Sequence, residues 1–370
     1  MAHAHRASAE APAAAASTSG REAEGRTREQ WGEADFGALQ KRAAARLHRF
    51  YVPQPLGPAP EPASLAALLA SSPSPATPST LPASSSPSPP PAALPSVVLE
   101  GEEARHAARA LRLAPGDRVE LCDGRGNTVA GVVAGSDRQR VWVSPDGPAT
   151  HTPWRGSRWV LAAAATTLKG GRAEWLVEKA AELGAHSFVP LTTERSQGVG
   201  KAKFRTRGGG GRGASSGADE GEGGDDYQPG RLERVAIAAT KQSLRPHALA
   251  LEPPTALQQV LPLVAKASGS EGGFALVAVA GAPPLPTVLA ELRSASRQAG
   301  AGEEGAAGAG SSPSPLRVLL IGPEGDFTPG ELAALVEAGA RPVGLGANRL
   351  RTETAAIGLL AACLFSEGDS

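Results

Sequence analysis

Two segments near the C-terminus decide how this chain reads: Leu319-Leu320-Ile321-Gly322-Pro323-Glu324-Gly325-Asp326-Phe327 and Gly344-Leu345-Gly346-Ala347-Asn348-Arg349-Leu350-Arg351-Thr352-Glu353-Thr354-Ala355. Each passes from a short apolar stretch into a glycine-containing turn and then into a helix. Such turns bring bare backbone close to a ligand. Two of them joined by one helix point to a single pocket built mainly from main chain. The joining helix carries strong local start signals: Thr328 as N-cap, Pro329 at the first helical position, Glu331 completing a capping box, and Phe327 placed to staple onto Leu332. Gly339 is placed to close it.

Working outward, strand and helix patterns alternate from about residue 157, which indicates an α/β domain. Strands are predicted at residues 159–164, 187–191, 274–279, 318–321 and 342–345, and helices at 172–183, 232–244 and 354–365. The preceding block joins residues 47–55 to 96–148. It reads as short strands at 49–52, 97–99, 118–122, 128–133 and 140–143, a helix at 102–113, a turn at Pro115-Gly116-Asp117 and a hairpin loop at 123–127. Strands at that spacing predict a small β-barrel. Three low-complexity tracts interrupt these blocks, at residues 57–95, 205–230 and 296–315, and read as solvated loops or disorder. Residues 1–46 are rich in Ala, Arg and Ser and hold too few large apolar side chains for a core. They read either as an organelle transit peptide or as a disordered extension. The acids Glu10, Glu22, Glu24 and Glu29 count against the first.

The 37 basic and 37 acidic side chains balance, which excludes a strongly basic protein coating nucleic acid while leaving room for a local basic face. Cys122 and Cys363 are the two cysteines and form no CxxC pair, so neither a disulfide framework nor a zinc site is expected. No apolar run reaches the roughly 18–20 residues of a membrane span. A GxGxxG after a strand, a GxxxxGK[ST] loop, a GxSxG at a strand-to-helix elbow and an HExxH pair are all missing from the sequence.

The positive signals form a set. Lys169-Gly170-Gly171-Arg172 sits between a strand and a helix, where cations lie over the carboxyl ends of the strands, the usual ligand side of an open α/β sheet. Thr192-Thr193-Glu194-Arg195-Ser196 follows another strand end, and Lys241-Gln242-Ser243-Leu244-Arg245 closes a helix. Taken singly, each has an ordinary reading: solvated cations, a turn closed by its own side-chain hydrogen bonds, and Glu353 as a helix-start carboxylate favoured by the helix dipole. In order and wording, however, they resemble one family together with Arg105-His106-Ala107-Ala108-Arg109-Ala110-Leu111-Arg112, Gly116-Asp117 and the two opening turns. That family is the RsmE-type ribosomal RNA methyltransferases of the SPOUT superfamily.

The resemblance implies a C-terminal trefoil-knotted SPOUT α/β domain over residues 157–370, a PUA-like RNA-binding β-barrel over 47–148, and transfer of methyl from S-adenosylmethionine to N3 of a uridine in small-subunit (16S-type) ribosomal RNA. Gly322, Pro323, Glu324 and Gly325 then form one cofactor wall, and Leu345, Gly346, Leu350, Arg351 and Thr352 the other. A sulfonium donor is already activated, so no metal is expected. Arg351 or Arg195 is expected to stabilise charge on the uracil and Glu353 to accept the N3 proton. Arg49, Arg105, His106, Arg109, Arg112 and Arg125, with Lys169, Arg172 and Arg245, are the expected RNA contacts. A symmetric dimer and no membrane partner are also implied. The alternatives are a catalytically impaired RNA-binding homologue or a SPOUT methyltransferase for another RNA, such as transfer RNA. The ribosome served is that of a plastid or mitochondrion if residues 1–46 are a transit peptide, and otherwise a cytoplasmic one. Three positions depart from the family wording: Asp326 replaces a usual glycine, Asn348-Arg349 a usual Arg-Ile, and Lys241 a common Glu.

Overall fold

The computed structural model describes residues 47–57, 68–69, 96–164, 171–196, 230–300 and 314–367. The N-terminal block is a curled six-stranded sheet. Its strands are β1 (His48–Tyr51), β2 (Val97–Leu99), β3 (Arg118–Cys122), β4 (Asn127–Ser136), β5 (Val141–Pro145) and β6 (Thr150–His151). They run in the order β1-β3-β4-β5-β2, with β6 on β4. β1 pairs with β3 in parallel and the other pairs are antiparallel. No ladder joins β1 to β2 among the described residues, so the expected barrel is a curled half-barrel rather than a closed one. Alternate residues point inward, and Phe50, Leu99, Val119, Leu121, Val133, Val141 and Val143 make its core.

Helix α1 (Gly101–Arg105) lies across this sheet and continues as a π-helical turn, His106–Ala110. The continuous helix expected to residue 113 is therefore shorter. It ends at Arg112, whose φ of 53° turns the chain into the left-handed region.

The second block contains β7 (Arg158–Ala163), α2 (Arg172–Leu183), β8 (Ser187–Thr192), α3 (Arg231–Gln242), β9 (Ala250–Leu251), β10 (Thr255–Ala256), α4 (Leu257–Gly269), β11 (Phe274–Ala278), α5 (Leu285–Gly300), β12 (Leu316–Ile321), α6 (Pro329–Glu337), β13 (Arg341–Val343) and α7 (Thr352–Glu367). The sheet order is β10-β8-β7-β12-β11-β13, with β9 also on β8, and every pairing is parallel. Both faces are covered, which is how parallel strands satisfy their side chains. Trp159, Leu161, Phe188, Leu276, Leu319 and Ile321 face a core completed by α2, α3, α5 and α7. Val160, Val189, Val277, Val318 and Leu320 face one completed by α4 and α6. After the edge strand β13 the chain returns to seat α7 against β7, β12 and α2.

Two helices escape a reading by pattern. α4 carries Pro262 inside it, and α5 begins among Pro283, Pro284 and Pro286. Proline normally argues against a helix interior, but burial of Leu257, Val260, Leu263 and Val264 outweighs the lost hydrogen bond. α5 also enters the tract expected to be structureless at 296–315. Within the 57–95 tract Leu68 is buried against the second core, and Lys266 Nζ donates to its carbonyl, so that tract is not wholly solvated.

The two blocks meet along α3 and the segment after it. Gly126 N–H donates to Pro246 O at 2.9 Å and Ala248 N–H to Gly124 O at 2.8 Å. Lys241 forms an ion pair with Glu103 of α1, each side chain 17% exposed. A lysine at this position is therefore matched by a carboxylate across the seam.

Candidate active site

The two glycine turns leave the carboxyl ends of β12 and β13; two contacts hold them together, and Arg195 anchors the first from outside. Thr352 Oγ1 at the start of α7 donates to Gly322 O at 3.2 Å. Arg349 Nη2 of the second turn donates to Glu324 O of the first. Arg195, in the 3-10 turn after β8, donates through Nη1 to Gly325 O and to Phe327 O, the latter at 3.3 Å. A Cβ on Gly322 would lie 3.2 Å from the Phe327 ring and backbone N, so a side chain there would require Phe327 to shift. Gly346 has φ +109°, a conformation that L residues rarely adopt, and a Cβ there would meet nothing within 4 Å.

The cap signals behave as expected. Thr328 Oγ1 accepts from Glu331 N–H at 3.2 Å, and Glu331 Oε2 accepts from Thr328 N–H at 2.9 Å. The other Glu331 oxygen accepts from Glu194 N–H at 2.8 Å, tying α6 to the turn after β8. Thr193 N–H and Oγ1 both reach Ser196 Oγ, at 2.7 and 3.0 Å. Asp326 does need a positive φ, at 62°. That costs about 1 kcal/mol relative to glycine. Its Oδ1 accepts from Phe327 N–H at 2.9 Å, the kind of local bond by which aspartate tolerates this region.

Glu353 is buried, with 6% of its surface exposed, in the first turn of α7. Its Oε1 lies 3.6 Å from Arg172 Nη1, whereas its Oε2 has no hydrogen-bond partner among the described residues. Arg172 Nη1 also lies 3.9 Å from Glu324 Oε1. A buried carboxylate oxygen without a donor is costly, and this one sits beside the first turn through their shared arginine. Leu350 and Arg351 are exposed at the rim, and Leu345 is half-buried.

The expected RNA contacts divide. Arg105, His106 and Arg109 on α1 and the π-helical turn, and Arg112 just after them, are all exposed. Three others have partners within the chain. Arg49 is a structural cation, paired with Glu120 at 2.6 Å and donating to Arg245 O at 2.9 Å. Arg245 donates to Ala181 O and, at 3.3 Å, to Ala185 O, with its guanidinium 5.8 Å from the Trp154 ring centre. Burial lowers its pKa to about 10. Arg172 serves the site carboxylates. Lys169 lies outside the described residues. Sequence reasoning also missed Arg349, whose contact with a distant carbonyl has no sequence signature.

A cavity of about 260 Å³ lies at the opposite, amino-terminal end of the sheet, lined in part by Trp154, Arg155, Trp159, Arg245 and His247. Beside it the His186 imidazole packs edge-on to Trp154 at 4.8 Å, and burial, followed by the Arg158 charge, pushes its pKa down to about 3. The chemistry-bearing turns are not at this end. Among the described residues there is no cluster of three or more His, Cys, Asp or Glu able to hold a metal ion, and no helix long and apolar enough to cross a membrane.

An RNA methyltransferase domain model matches residues 157–206 and 215–364, together more than half of the chain, and an RNA methyltransferase PUA domain model matches residues 99–146. The chain is 31% identical over 267 residues to ribosomal RNA small subunit methyltransferase E of Mycobacterium bovis, spanning 70% of this chain and 82% of that one. It is 26% identical over 285 residues to the protein of the same name from Bacillus subtilis, spanning 72% and 89%. In fold it is similar to the Neisseria gonorrhoeae ribosomal RNA small subunit methyltransferase E bound to S-adenosyl methionine (TM-score 0.55, 19% identity, 87% of this chain and 98% of that one). It is also similar to a putative Legionella pneumophila methyltransferase in complex with the same cofactor (TM-score 0.53, 20% identity, 87% and 98%). The structure joins an all-parallel α/β sheet of SPOUT type to a PUA-like half-barrel. The chain belongs to the ribosomal RNA small subunit methyltransferase E family of SPOUT RNA methyltransferases.

Proposed function

We propose that this protein methylates N3 of a uridine in small-subunit ribosomal RNA, using S-adenosylmethionine. The observation that carries the reading is the pair of main-chain turns bonded to each other, with the half-satisfied Glu353 carboxylate beside them. Gly322, Pro323, Glu324 and Gly325 on one side, and Leu345, Gly346, Leu350, Arg351 and Thr352 on the other, would hold the donor. Bound there, it supplies an activated methyl group on a sulfonium.

The chain's task is then to orient the uracil and take its proton. N3–H is weakly acidic, and Glu353 Oε2 is the acceptor we assign to it. Arg172 Nη1 lies 3.6 Å from the other carboxylate oxygen and so holds the carboxyl group in place. Arg351, exposed at the cleft rim, would stabilise charge building on the uracil oxygens. Arg195 supports this chemistry indirectly by fixing the first turn. Arg105, His106, Arg109 and Arg112 would grip phosphates, which position RNA without reading sequence. The target would be a looped uridine that can be splayed out.

The test is methylation of small-subunit ribosomal RNA by the purified full chain with labelled donor, followed by mass spectrometry of the nucleosides. Label in 3-methyluridine is expected. Label in ribose or another base would transfer the reading to another SPOUT activity, and RNA binding without label would assign a catalytically impaired homologue. A symmetric dimer belongs to the same reading. Exposed Trp175 and Phe365, on the packed pair α2 and α7, are consistent with it. Sedimentation showing a fully active monomer would overturn it. Imaging the tagged full-length chain identifies the compartment, and so the ribosome, with plastid or mitochondrion proposed if residues 1–46 act as a transit peptide.

A further inference from the structure

The first turn is not self-supporting. Of its carbonyls, only Pro323 O is satisfied within the turn, by Asp326 N–H at 2.8 Å. Gly322 O and Glu324 O take their donors from Thr352 and Arg349 in the second turn, and Gly325 O and Phe327 O from Arg195. In the middle sits Asp326 at φ 62°, a conformation glycine adopts freely and aspartate does not. The strain therefore lies one peptide away from carbonyls gripped by arginines from two other segments. Asp326 lies in the first turn and Arg349 in the second, and Arg349 is exposed apart from this contact.

We propose that Arg349 is a positioning residue for the methyl donor, and that it compensates for Asp326. Its guanidinium holds Glu324 O so that the strained turn keeps the spacing from the second turn that the donor requires. It acts through the backbone and not by touching the reacting atoms. The proposal rests on the S-adenosylmethionine reading above. It predicts coupling between two positions that do not share a hydrogen bond: with glycine at 326 the turn relaxes into the same conformation unaided, and Arg349 becomes dispensable.

The experiment is calorimetric titration of S-adenosylmethionine into the full-length protein and its R349A, D326G and R349A/D326G variants, each checked for native circular dichroism, together with steady-state kinetics. R349A is expected to weaken donor binding about fivefold, the scale of one net hydrogen bond. In turnover the loss appears in KM for the donor and not in kcat. In the D326G background the same substitution is expected to cost less than about twofold, an interaction that only a cycle of variants reveals. A fivefold loss in both backgrounds would mean that Arg349 contacts the donor directly, and no loss in either would make it a solvated side chain. Both results overturn the proposal. Absence of any binding heat with the unmodified protein would instead remove the functional reading on which it rests.

Discussion

The two ends of the parallel sheet put the same residue types to opposite uses. At the carboxyl ends Arg172, Arg195 and Arg349 reach carboxylates and carbonyls of two turns, and Glu353 keeps one oxygen unpartnered among the described residues. At the amino ends Arg245 is consumed by the carbonyls that close α2, and His186 is held neutral against Trp154. Both ends hold buried polar atoms without a hydrogen-bond partner among the described residues, but at the carboxyl end the atom is a carboxylate oxygen beside two main-chain turns, whereas at the amino end His186 Nδ1 and Ser187 Oγ belong to neutral groups. A cation near a cleft therefore says little about nucleic acid until its own partners are known, as Arg49, Arg172 and Arg245 illustrate.

The sharpest way to break this contrast is Glu353→Gln. It preserves shape but cannot take a proton, and kcat for methylation should fall about 100-fold, while the urea unfolding midpoint stays close to that of the unmodified protein. Single-turnover kinetics with a parallel denaturation curve reads both. Activity within about threefold would leave the proton to solvent and make Glu353 a helix-start carboxylate after all.

The amino end should respond in the opposite way, in stability and not in turnover. The folded pKa of His186, about 3, is below its ordinary value, so the unfolded chain binds the extra proton. Its contribution is fully present above about pH 6.5 and is lost as pH falls toward the folded value, with a slope of up to about 1.4 kcal/mol per pH unit. Urea unfolding between about pH 7 and pH 5 should show a steeper decline for the unmodified protein than for His186→Gln. Equal slopes would mean that the imidazole accepts its proton within the fold. A smaller effect is expected on the half-barrel. Arg105→Ala with Arg109→Ala should weaken RNA binding about fivefold and reduce the salt slope by about 1.5, whereas Arg245→Met should cost stability without changing that slope. A titration of RNA affinity against salt distinguishes them, and a slope change for Arg245→Met would return it to the RNA face.

Local signals made much of the fold legible. The capping box at Thr328, the left-handed Gly184 after α2 and the turn at 123–127 all lie where nearest-neighbour chemistry puts them. α4 and α5 were not legible, because proline speaks against a helix that long-range burial nevertheless sustains. No local sequence signal marked the π-helical turn after α1 or the half-closed sheet.

For the site, the sequence by itself determined that two glycine turns would lie at strand ends and that Asp326 would be strained if its φ were positive. Both follow from covalent geometry and spacing, which act within a few residues. Only the tertiary structure decided which cations remain exposed, that Arg172 serves Glu353, and that Arg195 and Arg349 grip the same turn from separate elements. Hydrogen bonds to backbone carbonyls read no side-chain identity in the acceptor, so contacts across 130 residues, as between Arg195 and Gly325, leave no pattern in the chain.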